Sequence, residues 1–493
     1  MHKLLSIAFC FVFSVFGIAQ KRTFPTDTLV VTTHQTTING KVIPYKASTG
    51  MQPVWDENGN TIATLYHTFY ERTDMKDNTS RPLVISFNGG PGSASVWMHL
   101  AYTGPKILKI DDEGFPVQPY GVKENPYSIL DVADIVYVNP VNTGYSRTIP
   151  ESGEKIDRKK FFGVNADIAY LADWVNTFVS RKNRWRSPKY LIGESYGTTR
   201  VSGLALALQN QEWMYLNGVI LVSPTGLGIS REGIVEAANR LPYFAAAAWY
   251  HKALPSALQS KDLDELLPEV ENYTLHQLLP AMALGGFLGD DKKKEIASKM
   301  AYYSGLSETF ILQNNLDVDT REFWKELLRT RGFTIGRLDS RYLGLDKSDA
   351  GDSPDYNAEL TSWLHSFTPA INYYLREELN FKTDLQYYMF GPVRPWDNSN
   401  DQTGDNLRQA MAQNPYLHVM IQSGFFDGAT TYFNAKYSMW QMDPSGKMKD
   451  RFRFEGYRSG HMMYLRREDL KNANDHIRDF IKQTQSNGKS AKY

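Results

Sequence analysis

A serine with glycines two places away on either side closes the segment Leu191-Ile192-Gly193-Glu194-Ser195-Tyr196-Gly197. Apolar residues lead into it and an Ala/Leu-rich helical pattern follows, the context of a nucleophile elbow. That turn is so tight that the residues two before and two after the serine have no room for side chains. It lifts the serine above a sheet, at the positive end of the next helix. A serine hydroxyl is a poor nucleophile near neutral pH, so a base has to take its proton and a carboxylate has to orient the base. In folds built on this elbow the chain order is serine, acid, histidine. Of ten histidines, only His461 and His476 follow the last two expected strands. His476 falls inside an amphipathic helix, which leaves His461, in Tyr457-Arg458-Ser459-Gly460-His461, as the base. The acid is expected at the exit of the preceding strand, Ser423-Gly424-Phe425-Phe426-Asp427-Gly428, and is Asp427. An Asp-Gly pair that merely closes a turn is the plainer alternative. Acyl transfer also needs backbone N–H groups aimed at the developing oxyanion. One is expected from Tyr196, the other from the glycine-rich stretch Phe87-Asn88-Gly89-Gly90-Pro91-Gly92. A phosphate cradle is the weaker reading of that stretch, because the Lys and Ser/Thr of a P-loop are missing.

These residues need a sheet to hold them. Short apolar runs at Leu83 to Phe87, Ile135 to Val138, Tyr190 to Ile192, Val219 to Val222, Val419 to Ile421 and Phe452 to Phe454 read as strands buried on both faces of a mainly parallel sheet. Helical spacing marks Gly163 to Arg181 and a terminal helix at Glu468 to Lys482. Strand–helix alternation gives an α/β architecture. Before it, Leu29 to Thr73 reads as β-hairpins around the turn dipeptides Asn39-Gly40 and Asn58-Gly59. Between the fourth and fifth strands, helical patterns at Asp262 to Leu278, Asp291 to Tyr303 and Thr320 to Thr330 indicate an inserted helical cap over the sheet's carboxyl edge. The expected division is a leader over residues 1–19, core over 20–227, cap over 228–406 and core again over 407–493.

Lys+Arg and Asp+Glu both total 54 in 493 residues, so nucleic acid is not an expected partner. His2 and Lys3, the apolar stretch Leu4 to Ile18, and the small residues Gly17 and Ala19 read as a cleavable secretory leader. The apolar run is short for a membrane span. The protein is therefore expected to be exported, periplasmic or secreted, with no integral span after leader removal. The sole cysteine, Cys10, lies in that leader. A mature chain without cysteine excludes disulfides and thiolate catalysis, and suggests a bacterial envelope.

In order along the chain, Asn88-Gly89-Gly90-Pro91-Gly92, Asn125-Pro126-Tyr127-Ser128 with Val141 to Ser146, Gly193 to Gly197, Ser423 to Asp427 and Ser459-Gly460-His461-Met462 together resemble the signature blocks of the serine carboxypeptidase family. The resemblance implies the α/β-hydrolase fold, a peptide substrate and no cofactor. It implies a triad of Ser195, Asp427 and His461, with oxyanion donors at Gly90 and Tyr196. It also implies capture of the substrate's terminal carboxylate by Asn88, Gly89 and Glu194. The family pairs that glutamate with a second one, but Tyr102 stands at the matching position here. Tyr102 is expected to donate to Glu194 or to a substrate carboxylate, making acid dependence weaker than in a pair of glutamates sharing a proton. Ser86 stands where the family has tryptophan, and Ser93 where it has cysteine. An esterase or acyltransferase using the same triad is the alternative enzymatic reading, and a non-enzymatic envelope binding protein is a third. No pattern such as His-Glu-x-x-His implies a catalytic metal. Trp249 and Tyr250 read as core of the cap rather than as pocket lining. Oligomeric state is not legible.

Overall fold

Apolar runs without polar alternation are stable as strands only when both faces of their sheet are covered. The computed structural model, which describes residues 25–150, 156–486, 488 and 490–491, has this arrangement. The expected leader and Cys10 lie outside the described residues. Three antiparallel strands come first: β1 (Thr28–Ile38), β2 (Lys41–Trp55) and β3 (Thr61–Arg72). Asn39 and Gly40 join the first two with φ of 49° and 77°, the left-handed pair that a two-residue hairpin requires. The apolar runs then supply β4 (Leu83–Phe87), β5 (Asp134–Val138), β6 (Lys189–Glu194), β7 (Gly218–Val222), β8 (His418–Gly424) and β9 (Phe452–Tyr457). The sheet order is β1-β2-β3-β5-β4-β6-β7-β8-β9, with Arg147–Thr148 pairing on β3 as well. From β5 to β9 every neighbouring pair is parallel, and β3 meets β5 antiparallel.

Alternate strand residues feed two cores. Leu83, Ile85, Leu191, Val219 and Ile421 pack on one face against helices α1 (Val164–Arg181), α2 (Tyr196–Asn210) and α3 (Thr403–Gln413). Val84, Ile192, Ile220 and Met420 pack on the other face, against Ile477, Phe480 and Ile481 of α4 (Arg467–Thr484). Each such aliphatic side chain contributes about 1.5–3 kcal/mol by leaving water. Parallel strands sharing one direction bring the exits of β4, β6, β8 and β9 to one edge of the sheet. Asn88, Ser195, Asp427 and His461 follow those four exits.

Between β7 and β8 the chain is mainly helical, including Leu241–Tyr250, Leu263–Tyr273, Asp290–Ser304 and Ala358–Tyr373. Phe244, Leu266, Ile296 and Phe323 form a separate core there, which also takes in Phe426 and Phe433 from beyond β8. The chain rejoins the core before residue 406. Bridges pair Tyr388 with Gly144 and Asp397 with Gly163, and α3, which spans residue 406, buries Leu407, Ala410 and Met411 beside α1 and α2. Isolated bridges carry no periodic pattern, so the sequence places this return too late.

The elbow depends on two glycines. A Cβ on Gly193 would stand 2.2 Å from the Gly197 carbonyl oxygen, and one on Gly197 would stand 2.7 Å from that of Phe87. Neither obstacle is a side chain that can swing away. Gly193→Ala is therefore expected to cost about 3 kcal/mol, the upper end of the usual range for overpacking. Urea unfolding of the variant checks this, and an unchanged midpoint would contradict it.

Candidate active site

Ser195 sits between β6 and α2 at φ 57° and ψ −127°, a conformation costing a non-glycine residue about 1–3 kcal/mol. Its amide donates to the Val222 carbonyl at 2.9 Å, which ties the strained turn to the next strand. Tyr196 is the first residue of α2, so its N–H has no acceptor within the helix. Gly89 lies directly against this amide: a Cβ there would come 2.4 Å from the Tyr196 nitrogen. Gly90, with φ 104°, is exposed beside it.

The glycine loop is held from below. Arg200, on the first turns of α2, donates to the Asn88 and Pro91 carbonyls and forms a buried ion pair with Asp167 of α1. Burial favours the neutral form of Asp167, and the Arg200 guanidinium opposes it. Sequence spacing gave no sign of this clamp, because its partners are distant in the chain.

Asp427 is fully buried. Its Oδ1 accepts from the Ala429 and Thr430 amides at 2.8 and 3.1 Å. Its Oδ2 lies 2.6 Å from His461 Nδ1 and accepts from the Thr430 hydroxyl at 2.7 Å. Burial pulls the pKa of His461 down, but the Asp427 carboxylate outweighs it and holds the imidazole above its ordinary value. The acid and base loops are also joined through their backbones. Phe425 N–H donates to the Tyr457 carbonyl at 2.8 Å and Phe426 N–H to that of Ser459 at 3.0 Å.

A strap from the insertion crosses both loops. His461 N–H donates to the Leu338 carbonyl at 2.6 Å, Gly428 N–H to that of Arg337 at 3.0 Å, and Ser340 N–H to that of Phe426 at 3.0 Å. Ser195, His461, Gly89, Gly90 and Glu194 line one cleft of about 360 Å³, with Trp97, Trp363 and Phe390 as its aromatic wall. His476 is elsewhere, with its Nδ1 2.9 Å from the Tyr457 hydroxyl. Trp249 packs in the insertion's core and donates to the Lys261 carbonyl.

Two expectations are corrected here. Tyr102 does not reach Glu194: it is fully buried and its hydroxyl donates to Gln422 at 2.5 Å. Its ring stacks on Tyr464, centroids 4.6 Å apart, and it is the Tyr464 hydroxyl that donates to Glu194 Oε2. A 3₁₀ turn, Met463–Leu465, brings Tyr464 back after His461, and no spacing rule signals that return. Asn88 also lies beneath the cleft, donating to Glu194 Oε1 at 2.9 Å while its Oδ1 accepts from the Met98 amide. Ser86 is buried against Met98 and lines nothing. Burial pushes Glu194 up to about 7, with the His461 charge and the Tyr464 and Asn88 hydrogen bonds acting the other way.

The family model for serine carboxypeptidase matches residues 40–451, stopping short of His461. The chain belongs to the serine carboxypeptidase family. Among relatives, serine carboxypeptidase-like 37 of Arabidopsis thaliana is 32% identical over 194 residues, covering 37% of this chain and 36% of that protein. The pheromone-processing carboxypeptidase KEX1 of Saccharomyces cerevisiae is 26% identical over 158 residues, covering 31% of this chain and 20% of that one. These matches thus span about a third or less of the relatives' length. The crystal structure of the KEX1 carboxypeptidase superposes with a TM-score of 0.51 at 15% identity, covering 89% of this chain and 91% of that one, and shares the fold.

The Arg200 clamp gives a stability test. Arg200→Met leaves a buried carboxylate without its cation and is expected to cost about 3–5 kcal/mol. Adding Asp167→Asn should recover part of that loss. Denaturant unfolding measures both, and a single-variant loss below about 1 kcal/mol contradicts the role given to the clamp.

Proposed function

We propose that this protein is a serine-type carboxypeptidase, releasing residues from the carboxyl end of peptides through an acyl-enzyme on Ser195. His461, oriented by Asp427, takes the Ser195 proton as Oγ attacks the last peptide carbonyl. The Gly90 and Tyr196 amides receive the oxyanion. His461 then protonates the leaving amine, and water hydrolyses the ester by the same route in reverse. The observation that carries the reading is the placement of Glu194. It is a buried carboxyl group next to the nucleophile, lining the same cleft and hydrogen-bonded to Asn88 and Tyr464. In its neutral form it can donate a hydrogen bond to a substrate carboxylate beside the exposed Gly90 and the adjoining Gly89. Asn88 and Tyr464 then act as positioning residues that orient Glu194. Tyr102 and Ser86, the departures from the family pattern that leave an esterase or acyltransferase open, do not line the cleft. The leader-like residues 1–19 support export to a periplasmic or extracellular location, and the helical insertion would act as the cap over the cleft.

A blocked dipeptide with a free carboxylate should be cleaved at least about tenfold better than its C-terminal amide, since an unpaired buried polar group costs about 1–3 kcal/mol. Equal rates contradict the reading. Fluorophosphonate labelling should vanish in Ser195→Ala and slow about 10³–10⁴-fold in Asp427→Asn.

The pH profile separates Glu194 from His461. Glu194 holds its proton below about pH 7 and is a repelling carboxylate above it. Cleavage of free-acid peptides, read as kcat/KM, should therefore decline as pH rises through about 7. Esters of the same peptides should lack that decline, and both should lose activity at low pH as His461 becomes protonated. A fall already complete at about pH 5–6, the range for a shared-proton carboxyl pair, contradicts the assignment.

A further inference from the structure

Arg337 is a charge in the cleft that the mechanism does not use. It lines the cleft together with Ser195, Glu194 and His461 and is the one Lys or Arg among the described lining residues. Its backbone is fixed by the bond from Gly428 N–H, and its neighbour Leu338 is held on both sides. Leu338 N–H donates to Glu359 at 2.9 Å, and the Leu338 carbonyl accepts from His461. The side chain is exposed. Among the described residues it has no ion-pair partner and its guanidinium has no hydrogen-bond acceptor. Nearby arginines differ: Arg341 is buried on Asp339 and Arg200 on Asp167. The Arg337 charge is close enough to bear on His461, where it opposes the Asp427 carboxylate.

A guanidinium with no ion-pair partner among the described residues, in a cleft walled by Trp97, Trp363 and Phe390, is a ready bidentate site for a carboxylate. Its charge repels an incoming ammonium group. Resting on the carboxypeptidase reading, we infer that Arg337 binds a carboxylate of the substrate beside the scissile bond, so that the enzyme selects peptides acidic at that point. The carboxylate has two possible sources, an Asp or Glu side chain flanking the bond or the terminal carboxylate itself. The side chain is the expected one, because Glu194 and Gly89 already lie beside the nucleophile for the terminus.

The test compares ratios of kcat/KM, which cancel any effect common to all substrates, since Arg337 belongs to the strap that bonds to the Asp427 and His461 loops. Blocked dipeptides with Glu, Gln or Lys at each position flanking the bond are assayed as free acids and as methyl esters, with wild type, Arg337→Gln, Arg337→Lys and Arg337→Glu. The wild type should favour Glu over Gln about tenfold or more at one position, with Lys poorest. The preference should collapse toward unity in Arg337→Gln, return in part in Arg337→Lys, and reverse in favour of Lys in Arg337→Glu. If Arg337→Gln instead lowers the ratio of free acid to ester for every side chain, the terminal carboxylate is the group bound. Both ratios unchanged in Arg337→Gln overturn the inference. Failure of the carboxypeptidase reading would look different: the wild type would hydrolyse the esters and leave every free acid intact. The Glu-to-Gln ratio among the esters would then still decide the role of Arg337.

Discussion

A carboxylate and an imidazole buried together are stable only if each satisfies the other, and the rest of this site depends on that pairing between Asp427 and His461. Asp427 has no access to solvent and accepts from two amides, a hydroxyl and the imidazole. Breaking such a buried pair costs about 3–5 kcal/mol, so the position of the histidine is fixed by stability as well as by function. Three separate parts of the chain enforce it: the exit of β8, the exit of β9, and the strap from Arg337 to Ser340 that bonds to both. The insertion between β7 and β8 is thereby built into the support of the Asp427–His461 pair.

The nucleophile side is organised by the opposite means, strain held in place by packing. Ser195 is forced to positive φ between glycines that touch backbone on all sides. The turn survives because β6 and α2 are anchored in two apolar cores and because Arg200 fastens the glycine loop against it. Glu194 inherits its burial from the same turn. The residue just before the serine is buried at the floor of the cleft, where lost hydration raises its proton affinity. One tight turn thus presents the nucleophile, frees the Tyr196 amide and raises the proton affinity of a carboxyl group.

What was legible in the sequence follows from how local each signal is. The six apolar runs become six parallel strands because burial on both faces leaves a direct mark on composition. The elbow is readable in part because Gly193 is demanded by a contact with Gly197, four residues on; the demand at Gly197 comes from Phe87 on a distant strand. The placing of Ser195, Asp427 and His461 after strand exits is readable because parallel strands bring those exits to one edge. The partner of Glu194 was not legible. Tyr102 stands where the family pattern leads one to look, yet Gln422 claims its hydroxyl, and Tyr464 arrives by a short turn no periodicity reveals. The Arg200 clamp and the strap were hidden for the same reason: both join segments brought together only by the tertiary fold.

The central claim is that a triad and a carboxylate-capturing group share one cleft, so that cutting is confined to one end of a peptide. Mass spectrometry of a mixed-sequence peptide during digestion measures this most directly. The expected result is a ladder of products shortened one residue at a time from the carboxyl end, abolished in Ser195→Ala. Internal fragments, or shortening from the amino end, would contradict the account.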